Sequence, residues 1–240
     1  MQKGALPPFA CKRKSVAAGR LAYGQQKAFY FAQPFLADTN MEFRINAPLT
    51  LKGNTVELVP LDKAHFAELE ALAQDPRIWE FYSVNGSKAG AIVNALEKGL
   101  VEREKGTQYP FTIKDAKTSK IMGSTRYVEI QPDHRKLEIG WTWLHPHHWG
   151  TAANLECKLL LLTYCFESMN AARVQLRTDV QNIRSRKAIQ KIGGQQEGIF
   201  RNDMIRDNGT HRDSVYFSII AQDWVEVKRR LEGLVGEKVK

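Results

Sequence analysis

Between Glu138 and Gly193 the chain gathers most of the residues whose types and spacing can do chemistry. The first run is His145-Pro146-His147-His148-Trp149-Gly150-Thr151-Ala152-Ala153, directly before a long apolar stretch. A loop that meets a helix start with few side chains in the way is a natural anion site. Its backbone N–H groups point outward, and the helix dipole favours negative charge. That geometry by itself admits many phosphate ligands. The second run is Asp179-Val-Gln-Asn182-Ile-Arg184-Ser185-Arg186-Lys187. Asn182 and Ser185 are three apart and share a face of a helix. Asn182 is also a good helix cap, and Ser185 reads equally as a polar residue of a first turn. The basic residues Arg184, Arg186 and Lys187 are either a solvated face or a contact for phosphate. The three histidines invite a metal, but no carboxylate or cysteine nearby completes a closed set, so no metal site is expected.

These runs need elements to hold them. Thr55–Leu58 alternates apolar and polar residues and reads as a first strand. Asp62 caps a helix reaching about Gln74, and Ser87 starts a second helix near Lys88–Lys105. Tyr109–Lys114, Ile121–Ile130 and Leu137–Leu144 read as three successive strands. In the last of these, Leu137, Ile139, Trp141 and Trp143 share one face, with Glu138 and Thr142 on the other. Ala152–Met169 is a helix apolar nearly all round, which implies a buried central place. A fifth strand around Val174–Thr178 leads to the helix Asn182–Ile192, closed by Gly193-Gly194. Gln195–Asn202 and Arg212–Ile220 make a hairpin with an Asn208-Gly209 turn, and Gln222–Leu234 adds a terminal helix. The order gives an α/β (α+β) domain: a mixed central sheet of seven strands flanked by helices.

The 240 residues suffice for one substantial domain with a sizeable core. No apolar run approaches the roughly 20 residues of a membrane helix. The net charge is +9, but residues 1–40 hold six basic residues against Asp38 alone, a net +5. That uneven spread argues against nucleic acid as the partner of the whole domain. Residues 1–47 read as a basic extension expected to be poorly ordered. Within it, residues 1–40 are either an organellar leader or an extended N-terminus ahead of Met41. Residues 48–235 are expected to form the single domain and 236–240 a tail. Cys11, Cys157 and Cys165 make no C-x-x-C pair, which fits a reducing, cytoplasmic setting.

The element order, with His147-His148-Trp149-Gly150-Thr151-Ala152 after the fourth strand and Asp179-Val-Gln-Asn182-Ile-Arg-Ser185 after the fifth, resembles the GNAT-type N-acetyltransferase superfamily. Within it the chain is most similar to the ribosomal-protein N-terminal acetyltransferase branch, over about Leu51 to Trp224. The resemblance implies a mostly antiparallel sheet whose fourth and fifth strands splay apart. It implies acetyl-coenzyme A as donor, its pantetheine arm in the splay beside Trp143 and Leu144. The pyrophosphate would lie on His148, Trp149, Gly150, Thr151, Ala152 and Ala153, where Gly150 and Ala152 let the backbone come close. The family's usual Gln or Arg at the loop's opening is His147 here, a weaker and titratable anion partner. Asn182 would contact the pantetheine arm, Arg186 would join the donor site, and Ser185 would protonate the departing thiolate. Glu138, on the strand bordering the reaction centre, is the candidate base, with Glu129 as a rival; the other reading of Glu138 is an exposed strand carboxylate. The expected acceptor is a protein or peptide α-amine. Alternatives are a small-molecule amine, or a catalytically silent acyl-coenzyme A-binding protein of the same fold. The resemblance also allows a homodimer.

Overall fold

The computed structural model describes residues 43–239. The readings for residues 1–40, Cys11 included, lie outside the described residues.

Eight strands form one sheet in the order β1-β2-β3-β4-β5-β6-β8-β7. They are β1 (Leu51–Lys52), β2 (Val56–Pro60), β3 (Tyr109–Asp115), β4 (Ile121–Gln131), β5 (Lys136–Leu144), β6 (Arg173–Asp179), β7 (Gln195–Ile205) and β8 (His211–Ile220). The short β1 is the strand beyond the seven expected. Every neighbouring pair is antiparallel except β5–β6. The helices are α1 (Phe66–Leu72), α2 (Ala91–Glu104), α3 (Ala153–Thr163), α4 (Ile183–Lys191) and α5 (Trp224–Val239). α5 thus runs past Leu234, where the sequence suggested its end. No helix among the described residues is long and apolar enough to cross a membrane.

Alternate strand residues feed two cores. One holds Leu161, Leu162 and Cys165 of the α3 segment with Leu137, Ile139 and Leu144 of β5, Trp224 of α5 and Ile189 of α4. The other packs Leu69 of α1 and Ile92 and Leu96 of α2 against Ile121 and Trp143. Ile121 and Met122 fall in different cores, as do Trp143 and Leu144, so the cores lie on opposite faces of the sheet.

Local chemistry sets the boundaries. Asp62 accepts from Ala64 N at 2.8 Å and shares a capping box with His65, which starts a 3-10 turn leading into α1. α2 starts later than Ser87 suggested. Ser87 hydrogen-bonds Asn85 Oδ1 instead, and the helix opens after Gly90, whose φ is +72°. α3 gives way after Thr163 to a π-helical turn, Tyr164–Ser168.

β5 departs most from simple alternation. Gly140 faces Arg126 and Trp143 faces Ser124, so Trp141 and Thr142 together oppose the single Thr125. Trp141 takes a φ of +51°. This bulge reverses which face each later residue meets. Leu137 and Ile139 face α3, whereas Trp143 joins the α1–α2 core. Thr142 likewise reaches the α3 side, away from Glu138, because its hydroxyl meets Lys158 of α3.

Candidate active site at the parting of β5 and β6

β5 and β6 share only three rungs, Lys136↔Arg173, Leu137↔Val174 and Glu138↔Gln175. Past Glu138 the strands continue without pairing each other. β5 is held by β4 on its far edge, and β6 by β8 along all seven residues. The bulge at Trp141 begins just beyond the last rung and adds local twist there. The stretch Gly140–Leu144 therefore faces Arg177–Asp179 across a gap.

At the mouth of the gap lies the loop before α3. Pro146–His148 forms a 3-10 turn, and Gly150 has a φ of +74° with open space where a Cβ would stand. Among the described residues none accepts a hydrogen bond from the N–H of Gly150, Thr151 or Ala152, while Ala153 N donates to Thr151 Oγ1 at 3.2 Å. Three amides without an acceptor among the described residues thus stand at the start of an eleven-residue helix, an arrangement that can receive an anion. Ala152 and Ala153 are buried, so their small side chains let the loop sit down on the core. His147 is exposed and His148 half-buried. Burial, and then the neighbouring His145, hold the His148 imidazole below its ordinary pKa, which favours its neutral form at neutral pH.

Of the expected donor contacts, Trp143 and Leu144 commit their side chains to the two cores. Trp149 donates Nε1–H to Leu144 O at 2.9 Å. Its ring lies 3.8 Å from the Arg184 guanidinium, which ties the loop to the start of α4. Asn182 caps α4 by accepting from Ser185 N at 2.9 Å. The half-buried Ser185 hydroxyl has no hydrogen-bond partner among the described residues. Arg186 donates to Val180 O at 3.1 Å.

Glu138 is neither exposed nor free. It is 3% exposed, and its carboxylate accepts from Gln175 Nε2 at 2.8 Å and Arg177 Nε at 3.1 Å. Gly140 leaves room for it, since a Cβ there would come within 2.8 Å of Glu138 Oε1. Burial raises the Glu138 carboxyl above its ordinary value, with Arg177 and Gln175 working against that rise. Arg177 also contacts Glu129 at 3.4 Å and Tyr216 Oη at 3.0 Å. Beside them a cavity of about 450 Å³ is lined by Glu129, Arg173, Gln175, Glu197, Gly198, Phe200 and Tyr216. The loop before α2 borders the same side of the sheet. Tyr82 Oη donates to Thr142 O at 2.6 Å, and Asp207 of the β7–β8 turn binds Ser83 O, Asn85 N and Lys88 Nζ.

Sequence reasoning passed over Lys158 and Thr142, which meet inside the gap wall at 2.8 Å. The signal was a lone lysine in an otherwise apolar helix. Among the described residues no three His, Cys, Asp or Glu side chains cluster as metal ligands would.

A mixed sheet that parts beside its one parallel pair, with free loop amides at the parting, is the framework of an N-acetyltransferase. The sequence profile described as "Acetyltransferase (GNAT) domain" matches residues 55–195, and the chain belongs to that family. It is 26% identical to "Putative ribosomal N-acetyltransferase YdaF" of Bacillus subtilis (strain 168) over 75% of this chain and 96% of that protein. The crystal structure of a "putative acetyltransferase" from T. thermophilus is 34% identical with a TM-score of 0.70, covering 78% of this chain and 96% of that one. Mycobacterium smegmatis RimJ in complex with CoA-disulfide shares the fold at 19% identity and a TM-score of 0.67, over 78% of this chain and 95% of that one.

Proposed function

We propose that this N-acetyltransferase takes its acetyl group from acetyl-coenzyme A and delivers it to the α-amine at the N-terminus of a protein or peptide, in the cytoplasm. The free amides of Gly150, Thr151 and Ala152 at the mouth of the gap carry the donor half of this reading. They suit a pyrophosphate, and the open space over Gly150 lets the ligand approach the backbone. In this reading Asn182 and Arg186 meet the donor from α4, and Arg184 steadies Trp149 beside the loop.

The donor supplies an activated thioester carbonyl and a thiolate leaving group. The chain then has to orient the amine, accept its proton and protonate the thiolate. An α-amine has a pKa near 8, about two units below lysine, so about a tenth is already neutral at pH 7, on the order of a hundredfold more than for lysine. Glu138 accepts the proton through water, while Gln175 and Arg177 hold the carboxylate in place. Ser185, with an uncommitted hydroxyl, hands a proton to the thiolate and recovers one from water, while Glu138 returns to water the proton taken from the amine. A thiol with a pKa near 8.5 leaves fairly well unaided, so Ser185→Ala should lower kcat by about 10²-fold or less while leaving donor binding unchanged. Turnover at the parental rate would make the serine a bystander.

The protein acceptor is supported by the relative named for ribosomal N-acetylation and by the lining of the acceptor side. The cavity beside Glu138 is lined by Glu129, Glu197 and Phe200 together with Arg173, which pairs with Glu197 at 2.5 Å, so it offers a chain end polar walls with both donors and acceptors. Release of free thiol from acetyl-coenzyme A across a panel of peptides and small amines tests this. Peptides with free α-amines should turn over, and the same peptides blocked at the N-terminus should not. Turnover confined to small amines would replace the peptide reading.

A further inference from the structure

The gap wall on the α3 side holds an amine for which the chemistry above has no use. Lys158 sits on α3 beside Leu159, Leu160, Leu161 and Leu162, and is 7% exposed. Its Nζ donates to Thr142 Oγ1 at 2.8 Å, and that hydroxyl lies 2.7 Å from Thr125 Oγ1 of β4. Thr142 belongs to the part of β5 that no longer pairs with β6. An ammonium carries three N–H donors. Among the described residues Thr142 is its one hydrogen-bond acceptor, and no carboxylate forms an ion pair with it. Burying a charge so poorly partnered is costly, and a leucine or methionine would pack there without that cost. The side chain therefore ends at the unpaired stretch of β5, beyond the last rung with β6.

We propose that Lys158 is a positioning residue for the donor, its ammonium donating to a carbonyl oxygen of the acyl-pantetheine arm in the gap. This rests on the donor reading above. The amine meets the hydroxyl of Thr142, itself bonded to Thr125 Oγ1, and it feels the charge of two titratable groups, Cys157 on its own helix and Glu138 on the other face of β5. Burial lowers the lysine's pKa to about 8, against upward pulls from Cys157 and Glu138. A carbonyl acceptor favours the charged form, so donor binding raises that pKa. Binding near this pH therefore takes up a fraction of a proton, and donor affinity falls as the pH rises through it.

Calorimetric titration of acetyl-coenzyme A in two buffers of different ionisation heat reads both quantities. The wild type should take up part of a proton. Lys158→Met should lose that uptake and bind donor about 10- to 100-fold more weakly, with an unchanged or higher melting temperature because an apolar side chain replaces a buried amine. Lys158→Gln keeps a donor without the charge, and should recover part of the affinity and none of the uptake. Thr142→Val leaves the lysine in place and should keep the uptake. If Lys158→Met and Thr142→Val only lower the melting temperature, with affinity and uptake as in the wild type, the lysine is a strut and the inference fails. If the wild type itself does not bind acetyl-coenzyme A, the donor reading fails first and this inference with it.

Discussion

Gly150 shows how backbone conformation and ligand access meet in one residue. Its φ of +74° lies where side chains other than those of Gly and Asn are strained, and nothing lies within 4 Å of a would-be Cβ. Gly150→Val should therefore cost about 1–3 kcal/mol of folding stability through strain alone. Asn tolerates the same conformation, so Gly150→Asn should melt close to the wild type while still crowding the cradle. Both should weaken acetyl-coenzyme A by about 2–4 kcal/mol, the worth of one or two charge-assisted contacts. Melting curves beside calorimetry separate the two effects, and full affinity in a folded Gly150→Asn protein would move the phosphate site elsewhere. Glu138 carries a different signature. Burial raises its carboxyl above the ordinary 4.5. A carboxyl raised on folding contributes stability below its unfolded value and loses it as the pH rises through its folded one. The neutral side chain of Glu138→Gln escapes that loss. The variant should gain in melting temperature relative to the wild type as the pH rises above 4.5. A variant that falls behind instead would mean that the Arg177 pair outweighs burial.

Among the elements, α3 does more than its apolar sequence suggested. Glu156, 4% exposed, accepts from Asn54 N at 2.9 Å, Thr55 N at 2.6 Å and Val56 N at 2.8 Å, pinning the β1–β2 turn to the helix. Gly53 leaves the carboxylate its room, since a Cβ there would lie 2.5 Å from Glu156 Cδ. Glu156→Ala would orphan these amides and should cost about 2–4 kcal/mol. Hydrogen exchange should quicken at Asn54, Thr55 and Val56 while β8 stays protected; a uniform change over the sheet would argue against a local clamp. The helix was legible as a buried apolar run, but Glu156 and Lys158 were not, because their partners lie far away in sequence. Local signals fared better. Asn182 caps α4 as its type suggested, and Asn208-Gly209 closes the hairpin with Gly209 at a φ of +82°. β5 was legible as a strand but its faces were not. A bulge depends on how two strands register, and Trp141 carries no local mark of its positive φ. The start of α2 failed for a kindred reason, since Ser87 spends its hydroxyl on Asn85.

At the scale of the whole molecule the sheet is two blocks joined along a short seam. β1 to β5 are continuous on one side and β6, β8 and β7 on the other, and only three parallel rungs link them through the sheet itself. α3 and the cores complete the join, and the gap beyond Glu138 is a defect in the sheet that a ligand can fill. An acyl-pantetheine arm running along the open edge of Gly140–Leu144 would hydrogen-bond to both blocks and act as a missing stretch of strand. Stabilisation by a ligand that binds only the folded state reaches about 2.7 kcal/mol at a hundredfold excess over Kd. For a domain of this size that corresponds to a rise of roughly 5–11 °C in melting temperature. The location of the effect is the sharper test. Donor binding should slow hydrogen exchange at Gly140–Leu144, at Gly150–Ala152 and in β6, and leave the exposed strand β7, with Ile199 at 47% and Phe200 at 56% exposure, nearly unchanged. Protection centred on β7 and β8 would place the donor on the other side of the sheet, and the gap would then be the acceptor's channel.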